Sequence, residues 1–257
     1  MLMTDVSEIQ DNGTQVRLAE YDVRLLTRTH LPQLMALQDV IVSGLQRPDL
    51  FEPYQLSWIQ DRIENSGYVI GAFAGDNLAA FCHVYYPDVD DTERNYGFDI
   101  GFDASERLHV VNLHMFCVHP RYRGDGLALS LNRMALSKMQ QDASRHYHVC
   151  SSVSPYNIYS LRVLLDAGLF IKTLTLKYGG KLRYIVHRDL RDSESRNLDA
   201  LNSTRTQCTA AGNLSVHQQL LDDGYWGFKL IQSSDGLQSS SHPDFHDCHV
   251  VFGKMRI

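Results

Sequence analysis

Residues 111–128 read VNLHMFCVHPRYRGDGLA. Val110 to Val118 is mostly apolar, with Asn112 and His114 interrupting on one parity, and predicts a buried strand. His119-Pro120 ends it, because the residue before a proline is held extended. Arg121, Arg123, Gly124 and Gly126 follow, and LALSLNRMALSKMQQ then runs at helical spacing from Leu127.

The first amides of a helix have no acceptor inside it and lie at the positive end of its dipole. Glycines at 124 and 126 remove the Cβ atoms that would keep an anion away, and the arginines add formal charge. Such a junction can cradle a phosphate or pyrophosphate, although the glycines alone also fit an ordinary tight turn. No Gly-Lys-Ser/Thr follows, so this is no Walker loop. Leu129 stands where a dinucleotide turn needs its third glycine.

Arg121-x-x-Gly124-x-Gly126, after a strand ending Val-His-Pro, resembles the acetyl-CoA signature of the GNAT family of N-acetyltransferases. Downstream, SPYNIYS at 154–160 and the following LRVLLDAGL resemble that family's Asn-x-x-Ser/Ala helix. The resemblance covers about residues 14–190. It implies an α/β (α+β) fold: a mixed, twisted central sheet splayed between its fourth and fifth strands, with helices on both faces. It also implies acetyl-CoA as cosubstrate, lodged in that gap, and no metal.

The resemblance assigns roles residue by residue. The backbone of Phe116, Cys117 and Val118 would bond the arm of CoA, as a strand adds to a sheet edge. Arg121, Arg123, Gly124, Asp125, Gly126, Leu127 and Ala128 would hold the pyrophosphate. Asn157, with Ser160, would reach the arm from across the gap, and Asn157 also stands where a helix cap is expected. His114 is the leading general base, since histidine ordinarily titrates near 6.5. Some members carry His-Leu-His on this strand; here the pattern is Asn112-Leu113-His114, and Asn112 could orient a water. His83, Asp103 and Glu106 are other candidate bases. The family's acidic tyrosine, seven residues after the Asn, is replaced by Leu164, which leaves Tyr159, Tyr156 or water as proton donor. An acetyl-Cys117 route lacks an evident base beside the thiol.

Composition bounds the partners. The chain has 257 residues and a net charge of −6, which argues against a nucleic-acid-binding surface. It has no run of 18 apolar residues, so no membrane span is expected. MLMTDVSEIQDNG at the start is polar and acidic, unlike a signal peptide. Cysteines 82, 117, 150, 208 and 248 are scattered, with no CxxC, and read as reduced thiols of a cytoplasmic protein.

The organisation expected is a flexible lead over 1–13, an acetyltransferase domain over 14–190, a linker over 191–212 and a helix–hairpin extension over 213–257. LLDDG at 220–224 echoes LLDAG at 164–168, each before a strand, so the tail resembles a second copy of the closing helix–hairpin. Such a tail must dock on its own core or on a second subunit, the latter giving a homodimer. Pro87 to Arg107 is rich in acids, with Asp88, Asp90, Asp91, Glu93, Asp99, Asp103 and Glu106, and carries Tyr96. It reads as a solvated loop or as a substrate wall whose negative field attracts an amine, with Tyr85 and Tyr86 beside it. The expected reaction is acetyl transfer from acetyl-CoA to the primary amine of a small molecule, by direct attack in a ternary complex. Acetylation of a protein lysine or N-terminus, or CoA binding with little catalysis, are the alternatives.

Overall fold

The structure is a computed structural model that describes residues 16–18, 20–141, 145–192, 206–232 and 245–254. The flexible lead expected over 1–13 lies outside the described residues. Eleven strands form one sheet: β1 (Val16–Leu18), β2 (Tyr21–Leu26), β3 (Gly67–Ala74), β4 (Asn77–Tyr85), β5 (Val110–Val118), β6 (His148–Val153), β7 (Phe170–Lys177), β8 (Lys181–Asp189), β9 (Gln207–Ala210), β10 (Tyr225–Gln232) and β11 (Cys248–Lys254). Their spatial order is β1-β2-β3-β4-β5-β6-β8-β7-β10-β11-β9. Every described pairing is antiparallel except β5 with β6. The mixed sheet matches the expected class, and β1 and β2 form an antiparallel hairpin.

Helices cover both faces. On one face α4 (Leu127–Gln141) and α5 (Ile158–Asp166) bury Leu131, Met134, Leu161 and Leu164 against Val111, Leu113 and Val149. On the other, α1 (Leu31–Ser43) and α2 (Leu56–Asn65) bury Leu34, Ile59 and Ile63 against Val69, Phe81, Met115 and Cys117. The apolar stripe Leu34, Leu37, Ile41 on α1 is buried, as its spacing requires. Thr29 does not cap that helix; its N-cap is His30, after a short turn opened by Thr27.

The stretch 87–107 is built rather than loose, and carries the one-turn helix α3 (Ala104–Arg107). Buried Asn95 donates to the Asp88 and Arg107 carbonyls, and Arg107 donates to those of Val89 and Phe102. Phe102 and Tyr96 pack on Val110, Cys150 and Ile185, so the segment roofs β5, β6 and β8.

The tail lies on the core of its own chain. α6 (Leu214–Asp222) and the β10–β11 hairpin contribute Leu221, Leu230, Val250 and Phe252 to the cluster that holds α4 and α5. β10 meets β7 at Gly227, opposite Ile171. Buried His217 of α6 hydrogen-bonds the Tyr184 hydroxyl of β8. Gln207–Ala210, expected within a linker, is a strand paired to β11. Strand, Asn-led helix, glycine stop and hairpin thus occur twice: β6-α5-β7-β8 and β9-α6-β10-β11. The helices end alike, Gly168 N–H on Leu165 O and Gly224 N–H on Leu221 O, both glycines at positive φ. The sheet orders β6-β8-β7 and β10-β11-β9 mirror each other across the β7–β10 seam.

No helix among the described residues is long and apolar enough to cross a membrane.

Candidate active site

β5 and β6 pair over three residues only, Val110–His148 to Asn112–Cys150. One residue further, the Ser151 hydroxyl donates to the Leu113 carbonyl at 2.7 Å. Beyond that point β5 stays paired to β4 through Met115–Val118, so its other edge carries no strand. This is the expected splay, lying between β5 and β6 because Val16–Leu18 and Tyr21–Leu26 form two strands, β1 and β2, ahead of it; its open edge is the backbone of Phe116, Cys117 and Val118.

The same strand holds a β-bulge. Met115 pairs with His83 and Leu113 with Val84, so His114 is the extra residue. The bulge resets the alternation: Val111 and Leu113 face α4, Met115 and Cys117 face α1 and α2, and Phe116 packs again on the α4 side. His114 is thereby set into a ring of aromatic groups. It stacks on Trp58 (5.1 Å between centroids) and Tyr54 (5.7 Å), with His83 and Tyr85 edge-on or tilted at 5.7 and 5.5 Å. The Tyr54 hydroxyl and His83 Nδ1 are 2.6 Å apart and hydrogen-bonded. Among the described residues His114 Nδ1 and His83 Nε2 have no hydrogen-bond partner.

Burial, and then the Arg94 and Arg62 guanidiniums, push the His114 imidazole down to about 3. Burial and the neighbouring His114 hold His83 well below its ordinary value as well. The expectation of an unperturbed pKa is therefore not met; both rings are neutral at pH 7. Burial drives the Tyr54 hydroxyl the other way, well above 10.

A cleft of about 240 Å³ opens at the fork, walled by Tyr54, Trp58, Arg94, His114, Phe116, Asn157, Ser160, Leu164, Tyr178 and Arg183. His114, Phe116, Asn157 and Ser160 are thus brought together. Asn157 Oδ1 accepts the Ser160 N–H at 3.1 Å, so it caps α5 while facing the cleft. Leu164 fills the place where an acidic tyrosine was sought. Tyr159 is 51% exposed on α5 and is not among the walls. Tyr156 is held between the Arg47 guanidinium and the Phe245 ring. Tyr86 lies on the opposite face of the sheet from Tyr85, against Tyr68 and His146. Asn112 is buried, its amide donating to the Arg94 carbonyl at 2.6 Å. Burial raises the Cys117 thiol far above its ordinary range.

The glycine loop follows β5. Gly124 and Gly126 have φ of +100° and +74°, and a Cβ on either would meet nothing within 4 Å. Both conditions suit a turn that presents bare amides to a ligand. Ser130 N–H donates to Gly126 O as the first bond of α4, so the Leu127, Ala128 and Leu129 amides have no acceptor in the helix. Tyr21 ties the loop to β2, donating to Asp125 at 2.5 Å, and that bond, with burial, raises its own pKa to about 12.

None of the segment's acids is among the residues that wall the cleft, although Asp91 and Asp88 act on Tyr85 beside it. Asp99 pairs with buried Lys177 at 3.0 Å, Glu93 accepts the Tyr178 N–H, Asp91 holds a turn, and Asp103 with Glu106 caps α3. What this segment adds to the cleft is the side chain of Arg94. Tyr54, Trp58, Arg94, Tyr178 and Arg183 were missed by sequence reasoning. Only Tyr178 carried a local signal, standing before Gly179-Gly180 at the hairpin, where it adopts φ +52°.

An open strand edge beside a glycine-lined helix start, with a histidine cleft between, is the architecture of an acyltransferase that lays an extended thioester along a sheet. The chain belongs to the GNAT acetyltransferase family: the sequence model of the Acetyltransferase (GNAT) family matches residues 34–168, more than half of its length. It is accordingly an N-acetyltransferase, and the donor that goes with the family is acetyl-CoA. Among solved structures it is similar to the ribosomal-protein-S5-alanine acetyltransferase from Vibrio fischeri (12% identity, TM-score 0.50, covering 70% of this chain and 98% of that one). It is also similar to a GNAT-family acetyltransferase from Streptococcus pneumoniae (14% identity, TM-score 0.50, covering 66% and 99%). No curated protein sequence matches the chain.

Proposed function

We propose that this protein transfers the acetyl group of acetyl-CoA to the primary amine of a small molecule, by direct attack in a ternary complex. The observation that carries the reading is the fork: β5 leaves β6 after Asn112, and the open edge so created runs straight into the glycine loop. In this reading the amides of 124–128 grip the pyrophosphate, Arg121 and Arg123 add charge, and Phe116–Val118 bond the arm. Asn157 and Ser160 close on it from α5. Residues 14–190 make up the catalytic unit and 213–257 its extension.

The amine attacks as its neutral form, and its nitrogen becomes strongly acidic once bonded to the carbonyl carbon. A neutral His114 with an unbonded Nδ1 is suited to take that proton, directly or through water. The departing thiolate needs a proton in return. Tyr54 and Tyr178 line the cleft with hydroxyls that burial keeps protonated, and they replace Tyr159 as proposed donors.

The test is calorimetric binding of CoA together with thiol release over a panel of amines. Micromolar CoA binding with release of thiol is expected. CoA binding without acetylation of any amine would sink the reading.

A further inference from the structure

Two guanidiniums face the cleft without a carboxylate within ion-pair distance; Glu52, which also lines the cleft, and Asp49 act on Arg183 only from farther off. Arg183 is 3% exposed; it donates to the Leu182 carbonyl at 2.9 Å and lies 5.6 Å from the Tyr178 ring. Arg94 lies 5.3 Å over Trp58 and its carbonyl is fixed by Asn112. The acids around them are spoken for: Glu52 by Lys181 at 2.5 Å, Asp49 by Arg47 at 2.7 Å, Asp99 by Lys177. Among the described residues neither arginine makes an ion pair.

Burying a guanidinium without a paired carboxylate is costly; Arg183 is in that position, Arg94 is half-buried at the same wall, and a ligand carboxylate would supply the missing partner. The Arg183 fork is held by the Leu182 carbonyl and that of Arg94 lies over Trp58, and a guanidinium suits the planar, two-pronged recognition of a carboxylate. The aromatic wall offers an apolar face between them, and 240 Å³ is room for a molecule of amino-acid size. Resting on the acetyl-transfer reading above, we infer that the acceptor is an amine that also bears a carboxylate, held by Arg94 and Arg183 while its amino group faces His114. This reverses the cationic acceptor that the acidic segment suggested.

The experiment uses the full chain and three matched panels: amino acids, their carboxamides and the corresponding decarboxylated amines. Thiol release should favour the carboxylates at least tenfold in kcat/KM. Arg94→Gln should raise KM for the carboxylates by tenfold or more, cut the preference for carboxylates over carboxamides by the same factor, and leave CoA affinity unchanged. Arg94→Lys should restore part of the loss. Release of thiol by carboxamides or decarboxylated amines at equal or better efficiency overturns the inference while leaving the acetyl-transfer reading intact. So does weakened CoA binding in Arg94→Gln, which would put the guanidinium on the donor. A readout without turnover completes the set: N-acetyl amino acids, titrated into the CoA complex, should bind where their amides do not. Failure of every N-acetyl amino acid to bind overturns the inference, whether or not any amine is acetylated.

Discussion

The Ser151 hydroxyl donates to the Leu113 carbonyl at 2.7 Å, one residue past the last β5–β6 ladder pair. A side chain thus takes over where the backbone ladder stops. It satisfies the last carbonyl before the strands part, and it fixes where the fork begins.

Replacing Ser151 by alanine leaves that buried carbonyl without its donor. The expected cost is about 1–3 kcal/mol of stability. Urea denaturation at pH 7 measures it, and an unchanged midpoint would show that the fork is set by something else.

Gly124 and Gly126 tolerate added atoms in space but not in backbone angle. Gly126→Ala should cost about 1–2 kcal/mol from its positive φ alone. Gly126→Asp adds a negative charge at the proposed pyrophosphate cradle and should weaken CoA binding at least tenfold beyond the alanine variant. Calorimetric titration of both variants separates strain from charge.

Tyr21→Phe removes the hydroxyl that anchors Asp125. The loop should loosen and CoA affinity fall a few-fold with the fold intact. Equal affinity in variant and parent would show that the anchor is irrelevant to the loop.

Among the described residues burial lowers six imidazoles: His114 and His187 to about 3, His217 to about 4, His83 well below 6.5, and His30 and His148 as well. In the unfolded chain each titrates near 6.5. Between that value and its folded value, the unfolded state therefore binds more protons. Their contribution is complete above pH 6.5 and is lost as pH falls toward 3–4. The urea midpoint should drop steadily below pH 6.5, and His187→Phe should flatten the slope by up to one proton.

Gly227 sits where β10 touches β7, and a Cβ there would come within 2.7 Å of Ile171 Cδ1 and 3.1 Å of its Cβ. Gly227→Val should pry the tail from the core. Limited proteolysis should then release the tail faster than in the parent, with CoA binding retained.

Local pattern made much of this legible. The strand, the proline stop, the glycine pair and α4 are all short-range signals, as are the caps and stops of α5 and α6. The cleft was less so, because its walls come from far apart in the chain. Glu93 and Asp99 look like solvated acids until Tyr178 and Lys177, some 80 residues later, arrive beside them. Tyr85 and Tyr86 look equivalent until strand pairing sends them to opposite faces. Arg94 and Arg183 carry no motif, and only the closed sheet brings them to one cavity.

His114 is surplus to the ladder that contains it. With it deleted, β4 and β5 could pair without interruption and every neighbour from Val111 to Val118 would keep its present face. The hydrogen-bond ladder thus has no use for a residue at that place; the ring is held by stacking on Trp58 and Tyr54. The irregularity therefore falls at the one residue proposed above as the proton acceptor.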